Sequence, residues 1–225
     1  MKEIIYNENL FGKEFAGITN GDIIVKECDN KTADDKLCQV HYSKKTTKNR
    51  FKSFSVNGNK GFLQLGYGIR PRMKHTISKD ITKDNYCEFD RMWLDDSLPK
   101  FSESKVIGLL LRYIKQAYPK IKFVITYADG SAGNIGIIYQ ATNAFYVGKI
   151  KVDFYVLASG ERVHPVSMWH RHKTRAWKAM QELYPGIKHI TDNYQYRYLY
   201  ILNKTMKKKH QKEVKVKSYP IILTG

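Results

Sequence analysis

Apolar and polar positions change period several times along the chain, and each change marks an element. Val106, Leu109, Leu110, Ile114 and Ala117 recur at helical spacing. They predict a helix with one broad core-facing side, from Ser102 as N-cap with Glu103 in the first turn to Tyr118 before Pro119. Ile121 to Thr126 is a continuous apolar and β-branched run, which predicts a strand buried on both faces. Tyr86 to Leu94 interleaves apolar side chains with acids and reads as another strand, closed by Asp95, Asp96 and Pro99. Gly130 and Gly133 predict a turn, residues 134–141 a short helix and residues 144–147 a further strand. The order strand, helix, strand, helix, strand is that of an α/β core. A site is expected beyond the carboxyl ends of its strands, where Asp95, Asp96 and Asp129 fall.

Outside this core, residues 84–148, the pattern is less regular. Residues 23–25 and 39–42 are short strand candidates around an acidic, turn-rich piece, Asp29 to Asp35, and residues 44–52 form a basic loop. Phe51 to Ile69 alternates between glycines and predicts a hairpin. Residues 152–157 and 162–166 predict a second hairpin about Ser159-Gly160, followed by one helix from Ser167 to Tyr184. On that helix Trp169, Ala176, Trp177, Met180 and Tyr184 share a face, with His170, Arg171, Lys173 and Lys178 elsewhere. Tyr194, Tyr196, Tyr198 and Tyr200 alternate along a long strand. They serve either as amphipathic sheet residues with wet hydroxyls or as stacking partners for bases. Residues 204–217 lack apolar periodicity and are expected to be mobile. This gives one domain over residues 1–203, with a hairpin-helix-strand at 151–203, and a basic tail at 204–225.

Composition sharpens the class. The 225 residues are 42% hydrophobic and 27% charged, as in a folded globular chain. The net charge of +18 points to a polyanionic partner such as nucleic acid. That charge is concentrated, because residues 41–83 carry many bases against Asp80 alone and residues 151–225 are similarly basic, while 84–104 is acidic. Two basic surfaces flanking a catalytic core fit that asymmetry, and so does a solvated basic surface. No apolar run is long enough to cross a bilayer and no leader pattern opens the chain. A soluble protein of the cytoplasm, without a membrane partner, is therefore expected. Cys28, Cys38 and Cys87 make no disulfide framework, and with His41 they lack zinc-site spacing, so free thiols are expected.

Residues 90–148 combine an Arg91-x-Trp93 strand end, a Ser102-Glu103-Ser104 helix start, a Tyr127-Ala128-Asp129 strand end and the helix Gly136-x-Ile138-Tyr139-Gln140-Ala141-Thr142-Asn143. In this order and spacing, with VHYSKK at 40–45, the chain resembles the phage Mom DNA-modification family. The resemblance implies a GNAT-like mixed central sheet flanked by helices (α/β, or α+β), with basic elaborations at both ends. It also implies conversion of the exocyclic amine of adenine in double-stranded DNA to a methylcarbamoyl (acetamido) form. That product shields phage DNA from restriction in the bacterial host cytoplasm.

Residue by residue, Asp129 either accepts a proton or caps the following turn. Tyr139 matches the tyrosine that GNAT enzymes use as general acid, or it is a packed aromatic. Arg91 either orients an anion bidentately or pairs with Asp90 or Asp95. Ser104 orients substrate or simply starts a helix. His41 and Tyr42 offer base recognition or, with Tyr139, an iron site that would activate the methyl carbon. Typical GNAT enzymes hold the coenzyme A pyrophosphate on a Gly-rich turn. Residues 97–104 have no glycine, which leaves Lys100, Ser102, Ser104 and the helix N-terminus to receive acetyl-CoA. Lys44, Lys45, Lys48, Arg50, Arg171, His172, Lys173 and Arg175 are the expected DNA contacts around a flipped adenine. A small-molecule donor of the group is required, and a homodimer is one arrangement left open. A conventional acetyltransferase acting on an RNA or protein amine, and a non-catalytic DNA-binding protein, are the other functional classes.

Overall fold

The computed structural model describes residues 3–9, 12–41, 44, 49–67, 76–213 and 217–220. These group into two units, Met1–Tyr127 with Gly136–Gly148 and Arg197–Gly225, and Ala128–Ile135 with Lys149–Tyr196.

In the first unit β1 (Glu3–Asn9), β2 (Gly12–Thr19), β3 (Ile24–Cys28), β4 (Arg50–Val56), β5 (Gly61–Tyr67) and β6 (Tyr86–Leu94) run antiparallel in sequence order. Helix α1 (Asn30–Val40) lies between β3 and β4, and α2 (Ser102–Ala117) follows β6. β7 (Phe123–Asp129) then pairs parallel to β6, from Tyr86 opposite Phe123 to Phe89 opposite Thr126. A parallel neighbour needs a crossover, and α2 supplies it. Beyond β7 come the ends of β10 (Lys188–Ile201) and β8 (Phe145–Val156) that belong to this unit. The short α3 (Ile137–Ala141) precedes β8.

Adjacent residues of a strand point to opposite faces, and β4 shows the consequence. Ser53 donates a hydrogen bond to Asn30 of α1 at 2.7 Å, while Phe54 meets Tyr113 of α2 edge-on, so the two helices cover opposite faces. Val106, Leu109, Leu110 and Ile114 are buried as their spacing predicts. Phe123 to Thr126 is buried throughout, as expected of a strand covered on both faces.

Several local expectations are corrected. Asn30–Val40, expected as a turn-rich piece up to Asp35 with a strand beginning at Gln39, is instead α1. Asp29 caps it, accepting from Thr32 N at 2.9 Å, and Ala33 and Leu37, one turn apart, are its buried stripe. Ser102 is not the N-cap of α2; Phe101 is, at φ 67°, and the Ser102 hydroxyl donates to the Pro99 carbonyl at 2.6 Å. Residues 204–213 form α6 (Lys204–Glu213), whose Met206 packs against Ile77, Phe123 and their neighbours in the core. Asn203 Oδ1 accepts from Thr205 N at 2.9 Å and Met206 N at 3.1 Å. Asn203→Ala is therefore expected to cost about 1 kcal/mol of stability, measurable as faster amide exchange in α6.

The second unit has its own core of Tyr155, Val163, Met168, Met180 and Ile187. β9 (Arg162–Val163) closes the predicted hairpin on β8. The single helix predicted over 167–184 is two, α4 (Pro165–His172) and α5 (Trp177–Leu183). Lys173 ends α4 in the left-handed region at φ 58°, and the Thr174 hydroxyl accepts from Ala176 N at 3.2 Å before α5 starts. No helix among the described residues is long and apolar enough to cross a membrane.

Candidate functional site

In the first unit α1 delivers His41 to its C-cap, where the backbone N–H donates to Leu37 O at 2.9 Å and the residue is only 7% exposed. Burial first, and then the nearby Arg91 guanidinium, pull its imidazole down to about 4, so His41 is neutral at physiological pH. Two motifs fifty residues apart are thus brought within electrostatic reach. Arg91 stands opposite Gln64 in the β5–β6 register. Gln64 is fully buried and donates to Asp34 of α1 at 2.8 Å, and the same carboxylate holds Arg50. Arg50 is therefore engaged by an acid inside the fold. Lys44 is exposed, with its Nζ donating to the Gln39 carbonyl. Tyr42, Lys45 and Lys48 lie outside the described residues.

At the start of α2, Ser104 is half-buried and Lys100 exposed. The cap residue Phe101 is 75% exposed and gives the first-turn N–H groups no side-chain acceptor. These groups, with Lys100, suit an anion even without the glycines of a phosphate loop.

Tyr139 lies in α3 between two rings, Phe89 at 6.5 Å and Tyr198 at 5.5 Å. α3 comes this close because Gly136 at its start has no side chain: a Cβ there would sit 2.3 Å from the Tyr198 ring. Tyr198 accepts from Gln140 at 3.0 Å, and the Tyr200 and Thr142 hydroxyls are 2.6 Å apart. These tyrosine hydroxyls anchor α3 instead of facing water, which corrects one expectation for the alternating strand.

In the second unit Asp129 Oδ1 accepts from Ser131 N at 3.0 Å and from the Ser131 hydroxyl at 2.6 Å. The capping role is thus realised with one carboxylate oxygen. Ser131 also accepts from Arg162, which lies over the Phe154 ring. Arg171 pairs with Glu161 at 3.5 Å, His172 bonds the Tyr184 hydroxyl at 2.7 Å, and Lys173 and Arg175 are exposed.

The thiols are free, Cys87 buried and the other two half-buried. Burial, with Asp29 and Glu27 beside it, pushes Cys28 up to about 11, so it is a poor nucleophile at neutral pH. Among the described residues no three His, Cys, Asp or Glu side chains gather as a metal site. Tyr42 lies outside the described residues, and no cluster of this kind supports the iron expected at His41, Tyr42 and Tyr139.

Sequence reading missed the Asp34–Gln64 link and the clustering of Tyr155, Trp177 and His189, whose rings lie 4.7–5.9 Å apart. Only the Asp29-x-x-Thr32 cap pattern signalled the first, by marking α1.

Comparison with known proteins agrees with these motifs. The Mom protein family model matches residues 22–221. The Methylcarbamoylase mom of Escherichia phage Mu is 32% identical over 186 residues, covering 80% of this chain and 76% of that protein. Among solved structures, Arabidopsis thaliana NAA60 in complex with acetyl-CoA has a TM-score of 0.50 at 10% identity, covering 80% of this chain and 99% of that one. NAA60 with a bisubstrate analogue gives 0.50 at 11%, covering 80% and 97%. The fold is that of the GNAT acetyltransferases.

Proposed function

Because the chain belongs to the Mom protein family, we propose that it is a phage DNA-modification enzyme. It converts the exocyclic amine of adenine in DNA to its methylcarbamoyl form and so protects that DNA from restriction in the host cytoplasm. The observation that carries this reading is the family match over residues 22–221, which takes in the His41, Arg91, Asp129 and Tyr139 motifs together.

The product joins the adenine nitrogen to a methylene carbon, so that nitrogen must give up one proton. Its lone pair is delocalised into the ring and the amine is paired within the duplex, so the base leaves the stack before it reacts. Asp129 takes the proton on the carboxylate oxygen that Ser131 leaves unused. Arg91 holds a negative group on the donor through its fork of N–H donors. His41, kept neutral beside it, contributes a hydrogen bond without a second positive charge. Lys100, Ser104 and the open first turn of α2 would hold the pyrophosphate of acetyl-CoA. When bound, that cofactor would supply a two-carbon unit activated as a thioester; bonding its methyl carbon to nitrogen also requires a two-electron oxidant to take the hydride, and an ammonia donor to replace the thiolate as the amide nitrogen. Tyr139, its ring fixed between Phe89 and Tyr198, would donate its proton to the departing group. Lys44, Lys173 and Arg175 supply phosphate contacts, which make affinity fall as salt is added.

The test is mass spectrometry of nucleosides from plasmid DNA of bacteria expressing the wild type, Asp129→Ala or Tyr139→Phe. A new deoxyadenosine species is expected with the wild type, reduced about a hundredfold or more in each variant. Unmodified DNA from cells containing soluble, DNA-binding wild type would overturn the reading.

A further inference from the structure

The second unit contains a cavity of about 500 Å³ whose walls include Asp153, Tyr155, His164, Arg175, Trp177 and His189. That volume lies in the range of sites for small organic groups. Its aromatic wall is built, not incidental. Tyr155 and Trp177 are nearly parallel, 10° apart with centroids at 5.9 Å, and His189 leans on both at 4.7 and 5.5 Å. The His189 Nε2–H donates to Asp153 Oδ2 at 2.9 Å, which fixes the imidazole. The Tyr155 hydroxyl donates to the Arg175 carbonyl at 3.0 Å, which fixes the connection between α4 and α5 against the same wall.

The core of this unit does not explain the wall. Tyr155 belongs to that core and is 2% exposed, whereas Trp177, the first residue of α5, stands outside it and is 38% exposed. A large indole held in place yet open to solvent is a stacking surface for another flat ring. The polar groups narrow the choice of ring. Asp153 is about half exposed and spends one oxygen on His189; the other suits an amino donor, as an exocyclic amine provides. Arg175 is exposed and has no acidic partner among the described residues, and Lys173 and Lys178 are exposed nearby in sequence. A ring carrying an amine, attached to an anionic backbone, satisfies all three features.

The geometry points to this cavity as the seat of an amino-bearing nucleobase turned out of the duplex, stacked on Trp177, with its amine on Asp153 and its flanking phosphate on Arg175. The inference rests on the reading of DNA as substrate and names the part of the chain that holds a displaced base before it moves on to Asp129, which takes the proton of the same amine.

Fluorescence anisotropy of the full chain with three labelled duplexes tests it: fully paired, with one unpaired adenine, and with one unpaired thymine. The wild type is expected to bind the adenine bulge about tenfold more tightly than the paired duplex. Trp177→Ala should abolish that preference, and Trp177→Phe, which keeps a ring, should retain most of it. Asp153→Asn should erase the advantage of unpaired adenine over unpaired thymine. Equal affinity of the wild type for all three duplexes, absence of DNA binding at low salt, or a preference that survives Trp177→Ala each overturns the seat. Nucleoside analysis separates the two readings. Modified DNA without a bulge preference removes the seat alone, whereas a Trp177-dependent preference without modified adenine removes the enzymatic reading alone.

Discussion

Gly136→Ala is expected to destabilise the protein by about 3 kcal/mol, the sum of two costs that a neighbouring glycine separates. Gly136 has φ 82°, and placing a side chain on left-handed backbone costs about 1–2 kcal/mol. The added methyl would also stand 2.3 Å from Cε2 and 2.8 Å from Cζ of Tyr198. That ring has nowhere to go: Tyr198 is fully buried, its ring meets Tyr139 at 5.5 Å and Tyr146 at 5.4 Å, and its hydroxyl accepts from Gln140. Overpacking of this kind costs about 1–3 kcal/mol more. Gly133 has φ 70° but open space where a Cβ would go, so Gly133→Ala should show the backbone cost alone, about 1 kcal/mol. Urea unfolding of the two variants against the wild type measures the difference directly. Equal losses would mean that Tyr198 yields, and the close seating of α3, which orients Tyr139, would then not depend on Gly136.

That seating shows what a sequence displays and what it conceals. The alternation of Tyr194 to Tyr200 is plain along the chain, but only the fold reveals that Tyr198 and Tyr200 hold α3 by their hydroxyls. α2 and β7 were legible because their burial is continuous, so periodicity and β-branching are written over many residues. α1 was not, since only Ala33 and Leu37 turn inward among charged neighbours and its burial is two residues deep. α6 is more extreme, entering the core through Met206. The break between α4 and α5 depends on Lys173 adopting φ 58°, a conformation that lysine does not advertise. It leaves Trp169 and Trp177 exposed where a continuous helix would have put them on a core face. Among the site residues, the motifs identified His41 and Arg91 separately. Their proximity follows from pairing β3 through β6 and could not be read from spacing along the chain.

That proximity makes the second large effect one of pH. His41 has an ordinary imidazole value of 6.5 when unfolded and about 4 when folded, lowered by burial and then by Arg91. A depressed folded value means that the unfolded chain binds the proton more readily. The stabilisation is therefore complete above pH 6.5 and is lost as pH falls toward 4, by about 3 kcal/mol for a shift of this size. Carboxylates also titrate in this window, so the imidazole has to be isolated by difference. His41→Gln keeps a polar side chain that does not titrate, and its stability should fall less steeply between pH 6.5 and 4.5 than that of the wild type. Arg91→Gln should shrink the wild-type slope without abolishing it, because desolvation is the larger cause and persists in the variant. Urea midpoints at four pH values decide between these outcomes. If His41→Gln follows the wild-type curve, the imidazole already takes a proton in the folded state, and Arg91 faces a second cation where a neutral hydrogen-bonding partner is required.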